Sequence, residues 1–160
     1  SDLNTWVGFA QTGYADSDTL PTDGIGFSHL QDTTTIQFVS RKNGAGVSFD
    51  MLSSAGGSNF TLEDSSVPTQ TATVQAIPSN SVRLGFVYQP AGSEIGVTAN
   101  QFKLYLNGNP VGVQAATTVP DDIALEMNIM GAHKGTNANH LVVDYFNTFQ
   151  SRIAGTGVSA

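Results

Sequence analysis

The chain has no cysteine, which removes disulfide staples and thiolate metal sites together while leaving the compartment open. Charge is scarce as well. Asp, Glu, Lys and Arg make up 12% of residues, against about 25% in ordinary soluble domains. Cations are the rarer sign, with 6 Lys+Arg against 13 Asp+Glu and a formal charge of −7. A surface of that sign repels phosphate backbones, so nucleic acid is not an expected partner. No run approaches the ~18 consecutive apolar residues of a membrane span, and no membrane association is expected. Ser1-Asp2-Leu3-Asn4 offers neither the basic region nor the apolar run of a signal peptide. Finally, no window of helical length keeps apolar residues at i, i+3, i+4 and i+7 without interruption.

In place of charge, polarity comes from Ser, Thr, Asn, Gln and 17 Gly. That balance leans towards an extracellular or virion protein rather than a cytosolic enzyme. A chain of 160 residues is expected to form one domain, residues 1–160. At that size roughly 70% of the unfolded surface is buried on folding, enough for a two-sheet core without staples. Neither a long linker nor an internal repeat interrupts it.

Strand signals recur along the chain. Thr5–Ala10 reads as a first strand, and Ile25–Leu30 as a second, entered through the turn-prone pair Asp23-Gly24. From Thr34 to Ser40, Ile36 and Phe38 alternate with Thr35 and Gln37; Val47, Phe49 and Met51 then line the return strand. Asn43-Gly44 between them supplies the positive φ of a tight hairpin. Ala72–Ile77 and Val82–Gln89 follow. Phe102, Leu104 and Leu106 are expected to face the core, with Lys103 and Tyr105 outward. Asn107-Gly108 turns the chain into Val111–Val113, and Leu125, Met127 and Ile129 form the next inward face. A closing strand is expected at Leu141–Phe149, with Val142 and Phe146 on the face away from Leu141, Val143 and Tyr145. About ten short strands without intervening helices predict an all-β fold, an antiparallel two-sheet β-sandwich. An outer face is polar in an isolated sandwich. The apolar Val142 and Phe146 are therefore covered either by the chain itself or by a partner, and they stand as candidate partner-contact residues.

The succession Phe102–Gly108, Val111, Leu125–Gly131 and Leu141–Phe149 resembles the end of concanavalin A-like (laminin G-like) jelly rolls. There an Asn-Gly hairpin precedes a strand, a loop and a strand ending in a Val-Asp-Tyr type segment, here Val143-Asp144-Tyr145. Gly24-Ile25-Gly26-Phe27, together with the segment from Gln37 to Gly44, resembles a variant of this fold in structural proteins of tailed bacteriophages. The resemblance implies a jelly-roll topology. It also implies a non-enzymatic role on the virion surface, as a capsid decoration or a head or tail fibre-type component. Phage capsid or tail proteins, and further copies of the chain, are the partners it implies.

Glucanases of the same superfamily carry Glu-x-Asp-x-Glu, which sets carboxylates on one strand face for nucleophile and acid/base roles. The nearest segment here, Glu126-Met127-Asn128-Ile129-Met130, keeps one carboxylate, and a lone Glu cannot divide those roles. No enzymatic activity is expected. Lectins of the superfamily hold Ca²⁺ with loop Asp and Asn. Asp121-Asp122 and Asp16 with Asp18 are the right types without a specific spacing. His133 and His140 lack companion ligands for zinc, and no Gly-x-Ser-x-Gly elbow occurs. No metal or cofactor is expected. Glycan binding needs an aromatic platform and a few amides. Tyr105, outward in this register, and Asn107 are the candidate carbohydrate-binding residues, whereas Trp6 reads as core. The alternative function is therefore a lectin-like module on a secreted or virion surface, with a cell-surface glycan as partner.

Overall fold

The computed structural model describes residues 3–15, 19–29, 35–53, 59–62, 70–73, 75–76, 82–133, 143 and 146–148. Among these residues the chain is all strand and loop. The strands are β1 (Leu3–Gln11), β2 (Gly24–His29), β3 (Thr35–Lys42), β4 (Ala45–Ser53), β5 (Asn59–Leu62), β6 (Gln70–Thr73), β7 (Gln75–Ala76), β8 (Leu84–Gln89), β9 (Gln101–Leu106), β10 (Asn109–Ala115) and β11 (Leu125–His133).

Two hairpins follow from their turn residues. Asn43 and Gly44 have φ of 53° and 79°, Asn107 and Gly108 of 53° and 86°. Two successive positive φ values make a type I′ turn, whose twist matches that of the flanking strands. β3 thus returns as β4 with Lys42 opposite Ala45, and β9 returns as β10 with Leu106 opposite Asn109. Each hairpin also carries an irregularity. In β4 the register shifts so that Ile36 faces Leu52 and Gln37 faces Asp50. Met51 is the extra residue, and it and Leu52 are both buried, as a bulge permits. In β10 the shift falls between Pro110 and Gly112, where proline has no N–H to give the ladder.

The larger sheet has the order β11-β1-β2-β3-β4-β7 and the smaller β10-β9-β8, with β5-β6 a separate pair. All pairings are antiparallel except β4 with β7. The two principal sheets pack face to face as a β-sandwich. Between them lie Phe38, Met51, Leu52, Phe102, Leu104 and Leu106, flanked by Ile25, Phe27, Phe49, Leu84 and Phe86. Phe38 is at the centre. Its ring centroid is 5.8 Å from Phe27, 5.2 Å from Phe86 and 5.0 Å from Phe102. These are tilted and edge-on arrangements that add attraction beyond the area buried.

The other face of the larger sheet is covered too. Trp6, Ala10 and Val39 project there, and the connection from β1 to β2 folds over them with Tyr14 and Leu20, while Met130 of β11 closes the flank. The indole needs a bare floor. A Cβ built on Gly26 would lie 3.1 Å from the Trp6 ring and 2.6 Å from the Val7 carbonyl oxygen, so only glycine fits. Trp6 is fully buried, as its sequence context suggested. β3, in the middle of this sheet, is therefore buried on both faces, Phe38 on one and Val39 on the other.

Two expectations change. Met127 and Ile129, expected inside, are 53% and 44% exposed. They do share a face with Phe9 and Val7, their partners across the ladder. The apolar side chains of the smaller sheet, however, pack on β2, β3 and β4 and stop short of β11. Gln89 at the end of β8 is buried, with its Oε1 accepting from Gln101 Nε2 at 3.0 Å. Of the expected closing strand, residues 143 and 146–148 are described, and none of them belongs to a ladder. The strand β5 has no counterpart in the sequence reading.

Candidate functional site

Two places concentrate the side chains that sequence reasoning singled out: the outer face of the smaller sheet, and the end of the sandwich where residues 90–100 and 116–124 meet the β3–β4 hairpin. On the outer face, Phe102, Leu104 and Leu106 turn inward and leave Tyr105 half-buried on the opposite side. Its ladder neighbours are Gly85 on β8 and Pro110 on β10. Gly85 has no side chain to crowd it; a Cβ there would sit 3.7 Å from that of Tyr105. Tyr105 is thus flanked by a bare glycine on one side and the compact ring of Pro110 on the other. Asn107 lies at the hairpin tip. Its Oδ1 accepts from the Arg83 N–H at 2.9 Å, and its own N–H donates to the Arg83 carbonyl at 2.7 Å. The carbonyl half of that amide is therefore engaged in holding β8 to the turn. Tyr88 is 41% exposed, yet its ring lies 5.5 Å from Phe102.

Of the other pair, Val142 lies outside the described residues. Phe146 is half-buried and sets its ring edge-on to Phe9, with centroids 6.1 Å apart and planes at 72°. The Phe146 ring thus meets the chain's own β1.

The strand compared with the glucanase set, β11, has different employment. Glu126 Oε1 accepts from the Gly13 N–H at 3.2 Å, and Asn128 Nδ2 donates to the Tyr14 carbonyl at 3.1 Å. Both side chains brace the connection that covers Trp6. Nothing in the sequence spacing indicates this, because the partners are more than a hundred residues away in the chain.

At the connection end, Asp121 forms an ion pair with Lys42 of the β3–β4 hairpin, and Asp122 lies 3.8 Å from the same ammonium. The hydrogen bond from Lys42 holds the Asp121 carboxyl below its ordinary value, and that bond raises Lys42 in turn. Lysine thus supplies the positive charge that a cation would bring to these two aspartates. Among the described residues no group of three or more His, Cys, Asp or Glu is arranged to hold a metal. Asp16, Asp18 and His140 lie outside the described residues, as does the side chain of His133. No described helix is long and apolar enough to cross a membrane. Comparison with family models, with curated proteins and with solved structures finds no match to the chain.

Proposed function

We propose that this chain is a non-enzymatic structural protein of a tailed-bacteriophage virion, a capsid decoration or head or tail fibre-type component. In this reading its sandwich is a concanavalin A-like jelly roll. The resemblance of residues 24–44 to phage structural proteins suggests the particle. The observation that carries the non-enzymatic part is the employment of β11. The strand that would bear the hydrolytic carboxylates spends Glu126 and Asn128 on the Gly13 and Tyr14 backbone. A two-carboxylate mechanism needs an acid and a nucleophile facing one bond, and β11 carries Glu126 with the amide Asn128 in place of a second carboxylate. Such a protein acts by buried area. It binds the assembled shell but not its separated subunits, and so stabilises the particle by mass action.

The test is fractionation of purified particles, followed by addition of the purified protein to particles made without it. Co-sedimentation at saturable stoichiometry is the expected result. A protein that is absent from particles and does not bind them would end this reading.

The second reading, a glycan-binding module, is favoured by Tyr105, whose neighbours Gly85 and Pro110 leave one aromatic side accessible. A glycan array would give a signal lost in Tyr105→Ala and insensitive to chelator. A blank array removes this alternative without touching the first.

A further inference from the structure

The connection end of the sandwich is built more firmly than loops need be, and it carries apolar side chains at its tips. Residues 90–97 form a loop closed by its own backbone. The Gly92 N–H donates to the Val97 carbonyl at 2.8 Å, the Ser93 N–H to the Pro90 carbonyl at 3.0 Å and the Val97 N–H to the Glu94 carbonyl at 3.2 Å. Val97 is buried beneath it, and Asn100 Oδ1 takes the Ala91 N–H at 2.9 Å. Ile95, at the tip of this loop, is fully exposed.

The neighbouring connection, residues 116–124, is pinned in the same way. Ser40 Oγ donates to the Thr118 carbonyl at 2.9 Å and Thr118 Oγ1 returns a bond to the Ser40 carbonyl at 2.8 Å. The Lys42–Asp121 ion pair adds a third tie. This connection presents Ile123, 45% exposed. A bond from the Ala116 N–H to the Asn100 carbonyl, 3.0 Å, joins the two connections. A single exposed isoleucine needs no explanation. Two isoleucines on linked connections, one closed by its own backbone bonds and the other tied to Ser40 and Lys42, are a different case. Their ordering cost is met in the free protein, which is what preorganised binding surfaces achieve.

Charge indicates what they meet. Glu94, next to Ile95 in the chain, and Asp121 and Asp122, which precede Ile123, are exposed, with Lys42 engaged by the two aspartates. Resting on the virion reading, we infer that this end, rather than either flat face, is the docking surface. Ile95 and Ile123 enter an apolar recess of a shell protein, and that recess is bordered by Lys or Arg.

The experiment uses particles assembled without the chain and the purified full-length protein. The parent is compared with Ile95→Asp, Ile95→Ser, Ile123→Asp and, as a control on the outer face, Tyr105→Ala. Thermal midpoints of the Ile95 variants should match the parent, since that side chain touches solvent. Ile95→Asp should weaken particle binding at least about tenfold, the loss expected of a central apolar anchor, with Ile95→Ser and Ile123→Asp smaller in that order and Tyr105→Ala unchanged. Raising salt from about 50 to about 500 mM should weaken the parent as well, because screening removes the attraction of carboxylates for a basic rim. Binding of the parent with equal binding of Ile95→Asp would overturn this inference and leave the virion reading standing. Loss only in Tyr105→Ala would overturn it in favour of the outer face. Salt-independent binding would overturn the basic rim. A parent that fails to bind would overturn both.

Discussion

The two apolar clusters, one on each face of the larger sheet, are held by different means. The one between the sheets is lined by strands on both sides and filled by phenylalanines whose rings meet edge-on or tilted. The one around Trp6 has a sheet on one side and a connection on the other, and polar side chains keep that connection in place. It also buries Trp6 Nε1, Ser28 Oγ and Asn128 Oδ1, which have no hydrogen-bond partner among the described residues. Stability in a fold is uneven, and regions with fewer apolar contacts open first. The inter-sheet cluster is therefore expected to set the global stability, and the Trp6 cluster to govern a local opening.

The strongest way to break this contrast is Phe38→Ala. Removing a fully buried ring from the centre of the inter-sheet cluster should cost about 3–5 kcal/mol, a large part of the 5–15 kcal/mol that typical domains possess. Urea unfolding by fluorescence and by circular dichroism should shift together, since the loss is global. A shift in one probe only would place Phe38 outside the cooperative unit.

Tyr14→Phe asks a smaller question of the other cluster. The Tyr14 hydroxyl donates to the Thr19 carbonyl at 2.7 Å, and removing it should cost about 1 kcal/mol. The global midpoint should move little. Amide exchange should accelerate at Tyr14, whose N–H donates to the Gln11 carbonyl at 3.1 Å. Unchanged exchange there would show that the connection opens only with the whole domain.

The smallest effect belongs to the Lys42–Asp121 pair, which is solvent-exposed and worth little at neutral pH. Asp121 titrates below its ordinary value of 3.8, so its contribution is present above that pH and is lost as pH falls through the lowered value. Lys42 titrates above its ordinary value of 10.5, so its contribution is present below that pH and is lost as pH rises through the raised value. The difference in unfolding midpoint between the parent and Lys42→Met should therefore be largest across the neutral range and should shrink at both extremes. A difference that is constant with pH would assign the effect to the alkyl chain rather than the charge.

The same contrast explains what was legible in the sequence. The inter-sheet cluster was readable because its signals are local: alternation in Phe102–Leu106 and in Ile36–Phe38, and an Asn-Gly pair between the strands of each hairpin. The Trp6 cluster was not. That Trp6 is buried follows from its strand, but its cover comes from the connection between β1 and β2, fixed by Glu126 and Asn128 from the far end of the chain. Alternation in β11 likewise gave the correct face for Met127 and Ile129 but not their exposure, because period-two patterning says nothing about how wide the facing sheet is. At the candidate site, the outward direction of Tyr105 was readable. The commitment of Asn107 to Arg83 was not, although an Asn in a tight turn commonly hydrogen-bonds nearby backbone.

The ladder between β1 and β11 sets the order in which this protein can be made. Leu3 stands opposite His133 and Gln11 opposite Leu125, so β1 is synthesised more than a hundred residues before the strand it pairs with. Synthesis at about 5–20 residues per second imposes a delay of several seconds, whereas a hairpin such as β3–β4 closes in about 1–10 µs. β2, β3 and β4 can therefore assemble on the nascent chain while β1 has a neighbour on one side only. During that interval its other edge, with Trp6 and Phe9 on its two faces, is open to pairing with another nascent copy. The Gly26 floor offers the indole an early seat, which lets β1 be held in register by β2 until β11 arrives.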